Sequence, residues 1–245
     1  MSDPIRPVAI VTGATGGVGS ATVDLLLARG HDVVAVDLAP APDRWVADER
    51  VAVVTGDVSR EETADETVRV ALERFGRLDV LVNNAALFLR KPLPDTTLDD
   101  LQRLLAVNVV GTFLFTKAAL PALAATRGSI VNLASTSGLA GTPDQSAYSI
   151  TKGAIVQFTR QSAIEHAPLG IRVNAVAPGP IDTEFVAKAV ARGSRLGAPV
   201  EAIRAANPLG RISTAEEIAE AIVWIAGSPA ATGTILSVDG GHTAQ

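Results

Sequence analysis

Seven short runs of aliphatic residues punctuate this chain, and they restrict its fold more than any other feature. They are VAIVTG (8–13), DVVAVD (32–37), VAVVTGD (51–57), LDVLVNN (78–84), GSIVNLAS (128–135), IRVNAVAPG (171–179) and GTILSVDGG (233–241). None alternates strictly between apolar and polar residues, which is the pattern of strands buried on both faces of a parallel sheet. Parallel neighbours need long crossovers, and helical stretches at 17–29, 60–75, 97–125, 145–167 and 214–226 supply them. The expectation is an α/β fold: a doubly wound parallel sheet of about seven strands with helices on both faces, in a single domain over 1–245. Two helix starts carry a capping-box pattern, Ser59 with Glu62 and Thr214 with Glu217. Only 183–212 breaks the rhythm, with Gly193, Gly197, Pro199 and Pro208 interrupting helix-like pieces. An insertion at the carboxyl edge of such a sheet reads as a lid over a ligand.

Charge and composition exclude several function classes. Lys and Arg total 21 against 26 Asp and Glu, a formal charge of −5, which argues against nucleic acid as a partner. The absence of Cys removes disulfides, thiolate metal sites and Cys nucleophiles, and three histidines leave little for a metal, so none is expected. No stretch reads as long and apolar enough to span a bilayer, and MSDPIRPVAIVTG leads directly into a strand. The expectation is a soluble, cytoplasmic protein without a membrane partner.

The first strand ends in Thr12-Gly13-Ala14-Thr15-Gly16-Gly17-Val18-Gly19, and a helix follows at once. Glycines permit positive φ and close backbone approach, while a helix N-terminus offers unpaired N–H groups and partial positive charge. Together they make a pyrophosphate site. Asp37 ends the next strand about 20 residues beyond Gly17, the spacing at which an acid reaches both hydroxyls of an adenosine ribose. A carboxylate there repels a 2′-phosphate, and no Arg or Lys lies between Thr12 and Val23 or directly after Asp37. The expected cofactor is therefore NAD rather than NADP. Asp57-Val58 and Asn83-Asn84-Ala85-Ala86 end two further strands, where ligands of open α/β sheets bind. For Asn83, an amide that simply ties adjacent strand ends together is a competing account.

Tyr148 is the single tyrosine, and Lys152 follows it by four, on one face of a helix. A phenol ordinarily titrates near 10, too high for a base at neutral pH, and a nearby ammonium is expected to lower it. Ser135 ends the strand before this helix, with Thr136 and Ser137 as rivals for a place beside the phenol. Asn108 lies among apparently buried residues in LAVNVVGTF, where it either bonds backbone and kinks the helix or holds a water.

With these residues in order, the chain resembles the short-chain dehydrogenase/reductase family over nearly its whole length, in the branch built from one compact Rossmann-type domain. TGATGGVG, Asp57, NNAA, the Asn108 helix, Ser135, YSITK and PGPIDT carry the resemblance. It implies Tyr148 as general acid/base, Ser135 polarising the substrate oxygen, and Lys152 lowering the phenol pKa while holding the nicotinamide ribose. It further implies a water on Asn108 that joins Lys152 to solvent. Gly13, Gly17 and Gly19 would form the pyrophosphate turn with Thr15 and Val18 close by. Asp37 would select NAD, Asp57-Val58 would flank adenine, and Asn84-Ala85 would line the adenosine ribose. Pro178, Gly179, Ile181 and Thr183 would surround the nicotinamide. The resemblance also implies a homotetramer. Ala86 stands where glycine is usual, and SPAATG (228–233) is about three residues short of the family's spacing, which puts the last helix–strand corner in question.

These observations lead to an oxidoreductase that moves a hydride between NAD(H) and a small secondary alcohol or ketone. A 3-oxoacyl carrier-protein reductase using NADPH is the neighbouring alternative, opposed by Asp37. A non-catalytic NAD-binding regulator is the alternative from another class. Leu87, Phe88, Leu89, Phe185 and Val186 suggest an apolar pocket wall. Arg90 could meet an anionic substrate group, but arginine is so seldom buried that a solvated surface side chain is the expectation.

Overall fold

The computed structural model describes residues 6–181, 204–205 and 207–245. Strands β1 (Val8–Thr12), β2 (Asp32–Asp37), β3 (Val51–Thr55), β4 (Val80–Asn83), β5 (Ser129–Leu133), β6 (Arg172–Pro178) and β7 (Ile235–Val238) form one sheet in the order β3-β2-β1-β4-β5-β6-β7. Every pair is parallel. The chain winds outward from β1 to β3, then returns to β4 on the other side of β1. That reversal leaves the crevice beyond β1 and β4 uncovered by crossovers, so a ligand site belongs there.

Successive strand residues face opposite sides, and both sides are apolar. Val8, Ile10, Val34, Val36, Leu81 and Ile130 pack with α3 (Glu61–Phe75) and α5 (Thr112–Thr126) through Val68, Phe115 and Leu123. Ala9, Val11, Val33, Val82, Val131 and Val176 pack with α1 (Gly17–Ala28) and α7 (Ala215–Gly227) through Val23, Leu26, Ile218 and Ile222. A single turn, α2 (Asp43–Val46), buries Trp45 against the second of these cores. α6 (Ser146–His166) covers β6. Each fully buried Leu or Ile contributes roughly 1.5–3 kcal/mol, so two aliphatic layers hold the strand ends firmly in place.

Three expectations need correction. The stretch 97–125 is helical as α4 (Leu98–Leu105), a π turn (Ala106–Gly111) and α5, and at 29 residues with mean hydropathy 1.6 in its most apolar window it is long and apolar enough to cross a membrane. Its apolar residues instead serve the core, since Phe115, Ala119 and Leu123 are fully buried against the sheet. Ser59 does not cap α3. The helix begins after Arg60 without a side-chain cap, because the Ser59 hydroxyl is spent on Asp57 at 2.8 Å. The shortened connection before β7 closes well: Arg172 donates to the carbonyls of Ala226 (2.6 Å) and Ser228 (2.7 Å), where α7 ends, and Asn174 donates to Ala231 (2.7 Å). The second capping box is present as expected, with Thr214 and Glu217 bonded reciprocally.

Candidate active site

The glycine loop is built around close approaches. Gly13 has φ +63°, and a Cβ there would lie 2.7 Å from Ala85 Cα; at Gly19 it would lie 2.0 Å from the Gly13 carbonyl oxygen. Only glycine fits at either point, and the packing brings the α1 N-terminus against the ends of β1 and β4. No side chain caps α1, so its first N–H groups face the crevice unclaimed by the protein. Asn84 braces this loop: its amide donates to the Thr12 and Gly13 carbonyls at 2.9 Å, and its backbone N–H donates to Thr12 Oγ1 at 3.0 Å. The ribose-lining role implied for Asn84 thus competes with a structural one that occupies its amide. Asn83 ties strand ends, donating to Asn132 (2.9 Å) and Thr116 (3.2 Å).

Asp37 accepts from the Thr15 N–H at 2.9 Å and the Ala39 N–H at 3.1 Å, which locks the strand-end carboxylate to the glycine loop. Asp57 accepts from the Ser59 N–H and hydroxyl, and these bonds hold its carboxyl below the ordinary range.

Tyr148 and Lys152 lie on one face of α6 and are both buried. Lys152 Nζ donates to the Leu133 carbonyl at 2.5 Å and stands 5.7 Å from the centre of the phenol ring. Burial pushes the Tyr148 phenol up to about 12, against the lowering pull of a hydrogen bond with Ser135. The same burial brings the Lys152 ammonium down to about 8. The expected lowering of the phenol by its lysine is therefore not what this geometry gives. The ammonium is directed at a carbonyl, and desolvation of the phenolate outweighs attraction across the ring. Ser135 takes the place beside the phenol. Its rivals Thr136 and Ser137 also line the cleft, but only Ser135 bonds the phenol, and Ser137 donates to Gln145 Oε1 at 2.7 Å. Phe88 meets the phenol edge-on at 4.9 Å between ring centres.

Asn108 sits in the π turn and bonds backbone, one of its two expected behaviours. Its Oδ1 accepts from the Leu87 N–H (2.7 Å), and its amide donates to the Leu87 carbonyl (2.9 Å) and Thr151 Oγ1 (3.0 Å). It thereby fixes the loop after β4 against α6, rather than facing the crevice.

A cleft of about 1030 Å³ joins these parts. Gly13, Thr15, Gly17, Val18, Gly19, Asp37, Asp57, Val58, Asn84, Ala85, Ser135, Tyr148, Lys152, Pro178, Gly179 and Ile181 all line it. Asn108 stands behind the wall. Thr183, Phe185, Val186 and most of the expected lid lie outside the described residues. Leu87 and Phe88 line the cleft but Leu89 does not. Sequence reasoning missed Thr142, Gln145, Asn207 and His242 as wall residues, and no motif marks them; only their positions beside the ends of β5, β6 and β7 could have suggested them.

The cleft's architecture has relatives. The family model described as enoyl-(acyl carrier protein) reductase matches residues 13–243. A cis-4-hydroxycyclohexanecarboxylate dehydrogenase of Sinomonas cyclohexanicum is 41% identical over 247 residues, covering 97% of this chain and 96% of its own. The chain belongs to the short-chain dehydrogenase/reductase family. An uncharacterised short-chain type dehydrogenase/reductase of Sinorhizobium fredii is 42% identical over 243 residues, although this chain spans only 43% of that protein's length. Among solved structures, ElxO with NADP bound has a TM-score of 0.90 at 31% identity, covering 98% of this chain and 100% of that one. As a short-chain dehydrogenase/reductase, the protein has a site whose residues fit a nicotinamide dinucleotide: side-chain-free turns at Gly13 and Gly19, an uncapped helix N-terminus, and an acid ending β2.

Proposed function

We propose that this protein is an NAD-dependent dehydrogenase/reductase acting on a secondary alcohol or ketone, with Tyr148 as the proton-transferring group. One observation carries the reading: a buried phenol and a buried ammonium share the wall of a cleft whose far end is a glycine loop tied to a carboxylate. The relative named for cis-4-hydroxycyclohexanecarboxylate supports a ring-borne secondary carbinol as the reacting group.

Gly13, Thr15, Gly17, Val18 and Gly19 would hold the pyrophosphate, and Asp37 the adenosine ribose hydroxyls. Val58 and Asp57 would border adenine, Ala85 and Asn84 the ribose flank, and Pro178, Gly179 and Ile181 the nicotinamide. Thr183 belongs to this set by resemblance alone. When bound, the oxidised nicotinamide supplies a hydride acceptor and a positive charge. Ser135 donates to the substrate oxygen and orients it toward the phenol. In carbonyl reduction Tyr148 gives its proton to that oxygen, a role suited to a phenol that holds its proton. In alcohol oxidation the same oxygen would surrender its proton to the phenolate, whose charge the Lys152 ammonium, 5.7 Å from the ring centre, would stabilise. Asn108 acts by positioning. With its amide engaged, a water relaying protons from Lys152 would rest on its remaining acceptor capacity.

The 2′-phosphate question has a second side. ElxO was solved with NADP, and the family model's description points to carrier-protein chemistry, so an NADPH-dependent reductase is the competing reading. Asp37, already committed to the glycine loop, opposes it through charge. A homotetramer is part of the proposal, and Phe113 on α5 and Trp224 on α7, at 51% and 62% exposure, are apolar surface that self-association would cover. Steady-state assays with NAD and NADP against secondary alcohols, and with NADH and NADPH against ketones and 3-oxoacyl thioesters, test the reading. Turnover favouring NAD supports it. NADH binding without any turnover defeats it in favour of a regulator.

A further inference from the structure

The loop after β4 is pinned at several points. Asn108 holds Leu87 by both backbone groups, the Lys91 N–H donates to the Asp144 carbonyl at 2.6 Å, and Lys91 Nζ pairs with Asp100 at 2.7 Å. Between these clamps Phe88 packs on the phenol and Arg90 lines the cleft. The guanidinium is half-buried, yet it has no ion pair or hydrogen bond among the described residues, and its Nε–H is buried without an acceptor. A pinned loop thus presents a half-buried, unpaired cation to the cleft that the Tyr148 phenol also lines, where a surface arginine was expected. Such a donor is costly to leave unsatisfied, and its planar fork matches a carboxylate.

The surroundings agree in sign. The only acids lining the described cleft are Asp37 and Asp57, and both are spent on N–H and hydroxyl donors beside β2 and β3. Near α6, Thr142 donates to Ser137, and Ser137 donates to Gln145 Oε1. That chain leaves the Gln145 amide N–H groups as donors without an acceptor among the described residues. Among the described residues lining the cleft, no carboxylate besides Asp37 and Asp57 is present to meet these donors.

We infer that Arg90 and Gln145, on segments joined by the Lys91–Asp144 hydrogen bond and lining the same cleft, bind a carboxylate carried by the substrate, so that the alcohol oxidised here is a hydroxy acid. This inference rests on the dehydrogenase reading. The test compares 3-hydroxybutyrate and 4-hydroxycyclohexanecarboxylate, each with its carboxamide, in wild type, Arg90→Gln and Arg90→Lys. The wild type is expected to prefer acid over amide in kcat/KM. Arg90→Gln should shrink that preference by roughly 10–100-fold, mainly through KM for the acid, as expected for losing a charge-assisted pair. Arg90→Lys should recover part of it. Equal use of acid and amide by the wild type, or an unchanged preference in Arg90→Gln, overturns the inference. If no compound is turned over with either cofactor, the dehydrogenase reading fails on its own. Quenching of NADH fluorescence then decides the anion site: acid binding that Arg90→Gln abolishes supports it, and equal binding of acid and amide refutes it.

Discussion

The two ends of the cleft are built on opposite principles. At the glycine loop, polar side chains are satisfied by backbone: Asp37 by Thr15 and Ala39, Asn84 by Thr12 and Gly13. At the α6 end, an ammonium and a phenol are withdrawn from water with few partners, and a half-buried guanidinium has none among the described residues. A preformed, satisfied frame suits binding of a constant ligand part, since little must reorganise. Unsatisfied, desolvated groups suit chemistry, because their proton affinities and pairings change when a reactant arrives. Substitutions of Tyr148 or Lys152 should therefore alter rate and pH behaviour, and substitutions at the loop should alter cofactor affinity.

The largest effect is expected at Tyr148. Tyr148→Phe removes the proton-transferring oxygen while keeping the edge-on contact with Phe88, and kcat should fall about 10²–10⁴-fold, the usual worth of general acid–base catalysis. NADH affinity, read by fluorescence titration, should change little. Parallel losses of affinity and rate would erase the distinction between the two ends.

Lys152 offers a test through stability. Burial lowers its pKa from 10.5 to about 8 in the fold, so between those values the unfolded chain binds more protons. Stability therefore rises with pH across that window, and the penalty of burying the charge is full below about pH 8. Relative to Lys152→Met, which lacks the titration, the wild type should gain on the order of 2–3 kcal/mol between pH 7 and pH 10 in urea denaturation. A pH-independent difference would mean that the ammonium is solvated.

At the loop, Gly19→Ala places a methyl 2.0 Å from the Gly13 carbonyl oxygen, a backbone atom that cannot retreat without opening the turn. A cost of roughly 1–3 kcal/mol, typical of overpacking, should appear as weaker NADH binding and a lower Tm. Gly16→Ala is the control, because its Cβ would meet nothing nearer than 3.5 Å.

How much of this was readable beforehand follows the same division. Strand positions such as Val8–Thr12 and Asp32–Asp37, and the glycine turn, follow from local chemistry: β-branched runs, and residues that alone tolerate close approach. The Thr214 box was legible for the same reason, whereas Ser59 was misassigned because the nearer Asp57 outcompeted the helix for its hydroxyl. Burial of a whole side chain is a tertiary property. Sequence spacing put Lys152 beside Tyr148 but could not show that Leu133 would claim its proton donor, nor that desolvation would raise the phenol. Arg90 is half-buried rather than fully solvated because its loop is clamped at Leu87 by Asn108 and at Lys91 by Asp144, both far along the chain.

Asp37 gives the smallest expected effect and the sharpest division of roles. Its carboxylate carries charge, which should repel a 2′-phosphate, and it also accepts from Thr15, which shapes the glycine loop. Asp37→Asn keeps an acceptor for Thr15 while removing the charge, whereas Asp37→Ala removes both. If charge sets cofactor choice, both variants should lower the NAD-over-NADP ratio in kcat/KM by about 10-fold, the scale of one hydrogen bond to a charged group. If loop shape matters separately, only Asp37→Ala should also weaken NADH binding. An unchanged ratio in both variants would move cofactor choice elsewhere and leave Asp37 as a brace of the loop, a purely structural member of the end of the cleft built on satisfied backbone.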